Sequence, residues 1–154
     1  MSDVRYEAGG SDKLDQVEAL WLNLNQHHVV RSPFFSEVYA SKTFDTRKKE
    51  ILSKGKKGII RTDLAYESET GVMVGYCISI IHADNVGEIE SLVVLKESRG
   101  MGIGESLMQR SMKWMEEHKV KRKRLEVYFG NEEAFAFYKR FGFFPKYTVL
   151  EQIP

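Results

Sequence analysis

The sequence predicts a mixed α/β (α+β) domain, and three observations carry that expectation. Residues 59–95 read as three apolar strands in succession, joined by short turn-rich connections, which implies an antiparallel meander. Stretches with helical spacing of apolar residues lie on both sides of this block. The third strand then passes through a polar turn into Gly100, Gly102 and Gly104, glycines on alternate residues that open a helix. With 154 residues and 42% hydrophobic content the chain can bury a core. No linker, repeat or low-complexity stretch interrupts it, so one domain over 1–154 is expected.

Each element has a local justification. Val4 to Ala8 has the character of a short strand ending at Gly9-Gly10, and Ser11 or Asp12 is suited to cap the next helix. Leu14, Val17, Trp21 and Leu24 share one face of that helix, which is expected to run to about His28. Pro33 fits a first turn of a second helical stretch. Its largely aromatic apolar content (Phe34, Phe35, Val38, Tyr39, then Phe44) reads first as core and second as the wall of a cleft. A charged helix through Arg47 to Leu52 stops near Gly55. Strands follow at Ile59–Glu67, Val72–His82 and Val86–Leu95. Ile103, Leu107, Met108, Ser111, Trp114 and Met115 form one face of the next helix. Arg124–Phe129 reads as a strand, Asn131 as a cap, and Ala134, Phe137, Tyr138 and Phe141 as a helix face closed by Gly142. Tyr147–Ile153 reads as the last strand.

Charge and cysteine usage exclude several function classes. A net charge of +1 gives no global positive field, which argues against nucleic acid as the main partner. The basic run Lys119–Arg124 reads as a solvated loop after a helix C-terminus, where cations suit the dipole. Cys77 is the sole cysteine and lies in an apolar strand, so it is expected to be an inert, buried thiol. His27 and His28 are adjacent, fall on different helix faces and make a poor metal pair; no metal is expected. The polar opening from Met1 and the lack of a long apolar run suggest a soluble cytoplasmic protein with no membrane contact.

The chemistry concentrates at residues 92–107. An apolar strand end, close backbone approach at the glycines, unpaired N–H groups of a new helix and the cation Arg99 together make a phosphate-gripping loop. A Walker loop fits poorly because Gly104 is followed by Glu105 and Ser106, with no lysine. In a dinucleotide fingerprint the third glycine would fall at Glu105, whose bulk spoils helix–strand packing. Arg99-Gly100-Met101-Gly102-Ile103-Gly104 resembles the Arg/Gln-x-x-Gly-x-Gly/Ala loop of the GCN5-related N-acetyltransferase (GNAT) family. A second motif agrees: Leu125-Glu126-Val127, then Asn131, Ala134, Tyr138, Gly142 and Phe143 match that family's strand–Asn–x–x–Ala–x–x–x–Tyr–x–x–x–Gly–Phe pattern. The likeness covers Gly71 to Phe144, and the N-terminal third only by topology.

The resemblance implies a mixed, mostly antiparallel twisted sheet of six to seven strands, with helices on both faces and a central split that holds coenzyme A. It implies an acetyl-CoA-dependent enzyme that moves an acetyl group to a primary amine by direct attack in a ternary complex. Backbone groups of Leu92, Val93 and Val94 would pair with the pantetheine, and Arg99, Gly100, Met101, Gly102, Ile103, Gly104 and Glu105 would cradle the pyrophosphate. Asn131 would contact the coenzyme, and Tyr138 would lie near the thioester sulfur and protonate the leaving thiolate. A carboxylate must take a proton from the acceptor amine, with Glu126 the first candidate and Glu90 the second. Amines of small molecules come first as acceptors, then a protein N-terminus or lysine; a coenzyme-A sensor without catalysis is the alternative from another class. Dimers are common in the family, so a homodimer would be unsurprising.

Overall fold

The structure, a computed structural model, describes residues 3–154, so the start at Met1 and Ser2 lies outside the described residues. Five strands, β1 (Val4–Gly9), β2 (Ile59–Glu67), β3 (Met73–Ile81), β4 (Val86–Val94) and β5 (Arg122–Leu125), lie side by side in chain order. The first three pairings are antiparallel, and β5 joins β4 in parallel. That one parallel pair needs a crossover. The helix α4 (Ile103–Glu117) supplies it.

Helices cover both faces. On one face α4 buries Leu107, Met108, Ser111 and Met115 against Cys77, Ile81 and Ile89 of the sheet. On the other, α1 (Glu18–Arg31) and α3 (Phe44–Lys54) bury Trp21, Phe44 and Ile51 against Leu64, Tyr76, Ile78 and Ile80. Each such aliphatic side chain removed from water contributes about 1.5–3 kcal/mol, which is what holds helices of modest intrinsic propensity in place. Close approach has its own requirement. A Cβ on Gly87 would lie 2.7 Å from the Met115 sulfur, so this strand residue lets α4 pack down.

Several elements depart from the sequence expectation. The sheet has five strands, fewer than the six to seven expected. Tyr147–Ile153 has no ladder partner and its apolar side chains are exposed. β5 stops at Leu125, short of Phe129, where its pairing with β4 ends at Ile89. The chain after Gly10 first forms a 3-10 turn, Ser11–Val17, with no side-chain cap, and α1 then runs on to Arg31. The second helix, α2 (Ser36–Ala40), leaves Pro33 outside it. Phe34 is exposed, so this aromatic stretch is not core, although Phe44 is. Thr43 caps α3 by accepting from the Thr46 N–H at 3.1 Å. The last helix, α5 (Ala134–Lys139), is capped by backbone alone, the Ala134 N–H donating to the Asn131 carbonyl. Part of the basic run, Arg122–Arg124, lies in β5 and not in a loop.

Candidate active site

The site begins with a fault in β4. Ile78 pairs with Ser91 and Ser79 with Ile89, so Glu90 is an extra residue, a β-bulge. The bulge sends two successive side chains to one face: Glu90 reaches Arg47 and Lys54 of α3, and the Ser91 hydroxyl lies 2.9 Å from that of Tyr76. The β4–β5 pairing covers Val86–Ile89 and ends where the bulge begins. Beyond it β4 keeps β3 on one side and has an open edge on the other. The Leu95 N–H donates to the Val74 carbonyl at 2.8 Å. Ladder alternation then commits Val93 to β3 and leaves the backbone groups of Leu92 and Val94 on the open edge. This is the split the resemblance implied, and the bulge is its physical cause.

At the end of that edge the chain makes a 3-10 turn, Lys96–Ser98, and enters α4 through Gly100 and Gly102, with φ of 80° and 78°. Those left-handed angles disfavour any residue with a Cβ. A Cβ on either glycine would meet nothing within 4 Å, so both face open space. Gly102 is the N-cap and has no side chain to offer, which leaves the first N–H groups of α4, those of Ile103, Gly104 and Glu105, pointing outward at the positive end of the dipole. The Gly104 position packs on the Phe137 ring of α5. Arg99 is exposed and its Nε donates to the Val94 carbonyl at 3.3 Å. Glu105 pairs with Arg140 at 2.6 Å, so its charge is met from α5. Met101 is exposed beside them.

On the far side of the split lies a cleft of about 650 Å³, lined among others by His28, Arg47, Glu90, Leu92, Glu126, Tyr128 and Tyr138. Its α3 wall is a net of ion pairs. Arg47 binds the Glu90 carboxylate at 2.8 Å and donates to the Glu90 backbone carbonyl at 3.1 Å, thereby clamping the bulge. Its guanidinium is pushed further into the cationic range, because Glu90 outweighs the opposing cost of burial. Lys54 takes the second Glu90 oxygen at 2.8 Å and reaches Glu88 at 3.4 Å. Glu88 is also held by His82 at 2.8 Å. Glu126 is mostly exposed and carries a single partner, Arg124 at 2.9 Å. The two candidate bases therefore differ in kind: both Glu90 oxygens are occupied, while Glu126 keeps one free.

Tyr138, on α5, lines the cleft and packs edge-on to Phe137, ring centroids 5.2 Å apart. Burial, then the nearby Cys77, pushes its phenol well above the usual range, so the proton stays on oxygen. Asn131 lines the same space, with its Oδ1 3.1 Å from His27 Nε2. Cys77 is buried under α4, hydrogen-bonded to Ser111 at 3.3 Å, and burial pushes its thiol up to about 11. It has the properties of an inert thiol. Sequence spacing brought Tyr138, Asn131 and Leu92 to the site, but it missed Arg47, Tyr128 and His28. His28 was set aside as half of an unsuitable metal pair, and its place beside Tyr128, ring centroids 4.3 Å apart, depends on a contact between α1 and the segment after β5.

Comparison with known proteins gives this geometry its context. The model of the acetyltransferase (GNAT) family matches residues 24–143. A candidate ribosomal protein bS18-alanine N-acetyltransferase of Bacillus subtilis (strain 168) is 33% identical over 75 residues, 49% of each chain. The chain thus matches about half the length of that curated relative. A candidate acetyl transferase from Pyrococcus furiosus superposes with a TM-score of 0.73 at 22% identity, over 96% of this chain and 99% of that one. An aminoglycoside N-acetyltransferase solved in complex with CoA superposes at 0.66 with 15% identity, over 99% and 95% of the two chains. Both structural likenesses concern the fold alone, whereas the family model spans most of the sequence. With the split sheet, the glycine loop and the helix carrying Tyr138 in one chain, the protein belongs to the acetyltransferase (GNAT) family of N-acetyltransferase enzymes.

Proposed function

We propose that the protein transfers the acetyl group of acetyl-CoA to a primary amine of a small molecule, by direct attack within a ternary complex. The observation that carries this is the open edge of β4, with the glycine loop at one end and Tyr138 beside it. Pantetheine would add along Leu92 and Val94 as an extra strand, and the pyrophosphate would sit on the N–H groups of Ile103, Gly104 and Glu105 with Arg99 at its rim. Gly100 and Gly102 keep that approach free of side chains.

The acceptor would enter through the cleft, whose volume suits a small ligand. Attack requires a neutral amine. Glu126, with one free oxygen at the mouth, takes the proton directly or through water. Glu90, gripped by Arg47 and Lys54, holds the bulge in shape. Outward N–H groups of β4 stabilise the developing oxyanion. Tyr138, still protonated at neutral pH, supplies the proton that the departing thiolate needs.

The test is thiol release from acetyl-CoA against a panel of amines, aminoglycosides, amino acids and short peptides. Release stimulated by a small amine supports the proposal. A second reading, acetylation of a protein N-terminus, is favoured by the sequence relative from Bacillus subtilis, and peptide-only turnover would select it. Tight coenzyme binding with silence across the panel would point to a sensor instead.

A further inference from the structure

His28 lies in the last turn of α1 and lines the acceptor cleft. Its neighbour His27 meets Asn131 at 3.1 Å, and its own ring lies against Tyr128, which places it beside the segment between β5 and α5. The two ring nitrogens have different surroundings. Nδ1 is buried with no hydrogen-bond partner, whereas Nε2 is not buried and makes no hydrogen bond within the protein. Burial first, then the positive charges of His27 and Arg47, lowers the imidazole to about 4, so the ring carries one proton at neutral pH. Placing that proton on Nδ1 would bury an unpaired N–H, a rare and costly arrangement. It therefore sits on Nε2.

Resting on the acetyl-transfer reading above, we infer that His28 offers an Nε2–H donor to the acceptor, and that the acceptor amine carries an oxygen on a neighbouring carbon. The chemistry is that of an α-amino carbonyl compound or a vicinal amino alcohol, in preference to an alkyl diamine or polyamine. The charges around the cleft point the same way. Glu50 is held by Lys42, Glu88 by Lys54, Glu90 by Arg47 and Glu126 by Arg124. A second ammonium group would have to displace one of these cations or compete with the reacting amine for the free Glu126 oxygen. The phenols of Tyr39 and Tyr128, both raised chiefly by burial, present no anion either.

Matched pairs of amines test this: alaninamide against isopropylamine, and ethanolamine against ethylamine. Calorimetry on the CoA-saturated protein should show His28→Phe weakening the oxygen-bearing member of each pair about tenfold and its partner by less than about twofold. His28→Gln, which keeps an N–H donor, should restore most of the loss, and thermal unfolding of both variants checks that each is folded. Equal losses within a pair, strongest wild-type binding by putrescine, or no binding by any of these amines would overturn the inference. Thiol release on the same pairs reports separately on acetyl transfer. Selective binding without release would remove the transfer reading and leave the His28 contact standing.

Discussion

The two halves of the proposed ligand site are built by different means. The half proposed for the coenzyme is made of backbone from one contiguous run, the end of β4, a turn, three glycines and the first turn of α4. The acceptor half is made of side chains from α1, α3, β4 and the segment after β5, held by ion pairs that join Arg47 to Glu90 and Lys54 to both Glu88 and Glu90. A backbone cradle tolerates change in every side chain except where a Cβ cannot stand. A side-chain cleft depends on each long-range contact that aligns it. The two halves should therefore fail in different ways.

The largest effect should come from breaking the acceptor half at its clamp. Arg47→Ala leaves the Glu90 carboxylate, 3% exposed, with Lys54 alone, and is expected to cost about 3 kcal/mol or more in urea unfolding. Coenzyme affinity, measured on the folded fraction, should fall far less than with a change in the glycine loop, because Arg47 holds the bulge at Glu90 and none of its contacts is with the loop. Gly102→Glu is the mirror experiment. It puts a Cβ at φ 78° and an anion at the phosphate position, and coenzyme binding should fall more than about a hundredfold. The cleft should survive in that variant, as the ion-pair net does not involve Gly102.

Tyr138→Phe sits between the halves and should lower kcat by about ten- to a hundredfold while leaving coenzyme affinity nearly intact. A wild-type kcat would exclude it as the thiolate's proton donor. His28 gives a subtler signature. Its folded pKa of about 4 lies below the ordinary 6.5, so the unfolded chain binds more protons between these values. Its contribution to stability is complete above pH 6.5 and is lost as pH falls towards 4. Over that window His28→Phe should show a shallower loss of stability on acidification, by at most about 1.4 kcal/mol per pH unit. Glu126→Gln should have the smallest effect, roughly a fivefold lower kcat with a flatter acid limb, since water can relay the proton to another base. No change in its pH–rate profile would leave the base unassigned to Glu126.

The contrast between the halves is also a contrast in what could be read beforehand. Arg99 to Gly104 was legible because its requirement is local: positive φ at Gly100 and Gly102 and an uncapped helix start depend on neighbours in the chain. The face of α4 from Ile103 to Met115 was legible because helical spacing sets it, and all six expected residues are buried. Glu90 was seen as a strand carboxylate but not as a bulge, because period-2 alternation carries no mark of an extra residue. The aromatic stretch at Phe34–Tyr39 was weighed towards the core, yet Tyr39 stacks on Tyr128 at 4.9 Å, a contact between residues 89 positions apart. Tyr147–Ile153 has strand composition and no strand partner, since composition offers a strand while only a free edge in register accepts one.

The sequence by itself determined the glycine loop, the helix that carries Tyr138, the three-strand meander and the inert setting of Cys77. All of these follow from backbone preference and side-chain periodicity, interactions that act within a few residues. Only the tertiary structure decided where β4 parts from β5, which carboxylate keeps a free oxygen, and which nitrogen of His28 is buried without a partner. Those depend on α1 and α3 settling over the sheet. Such long-range packing chooses among conformations that the local chain leaves equally open.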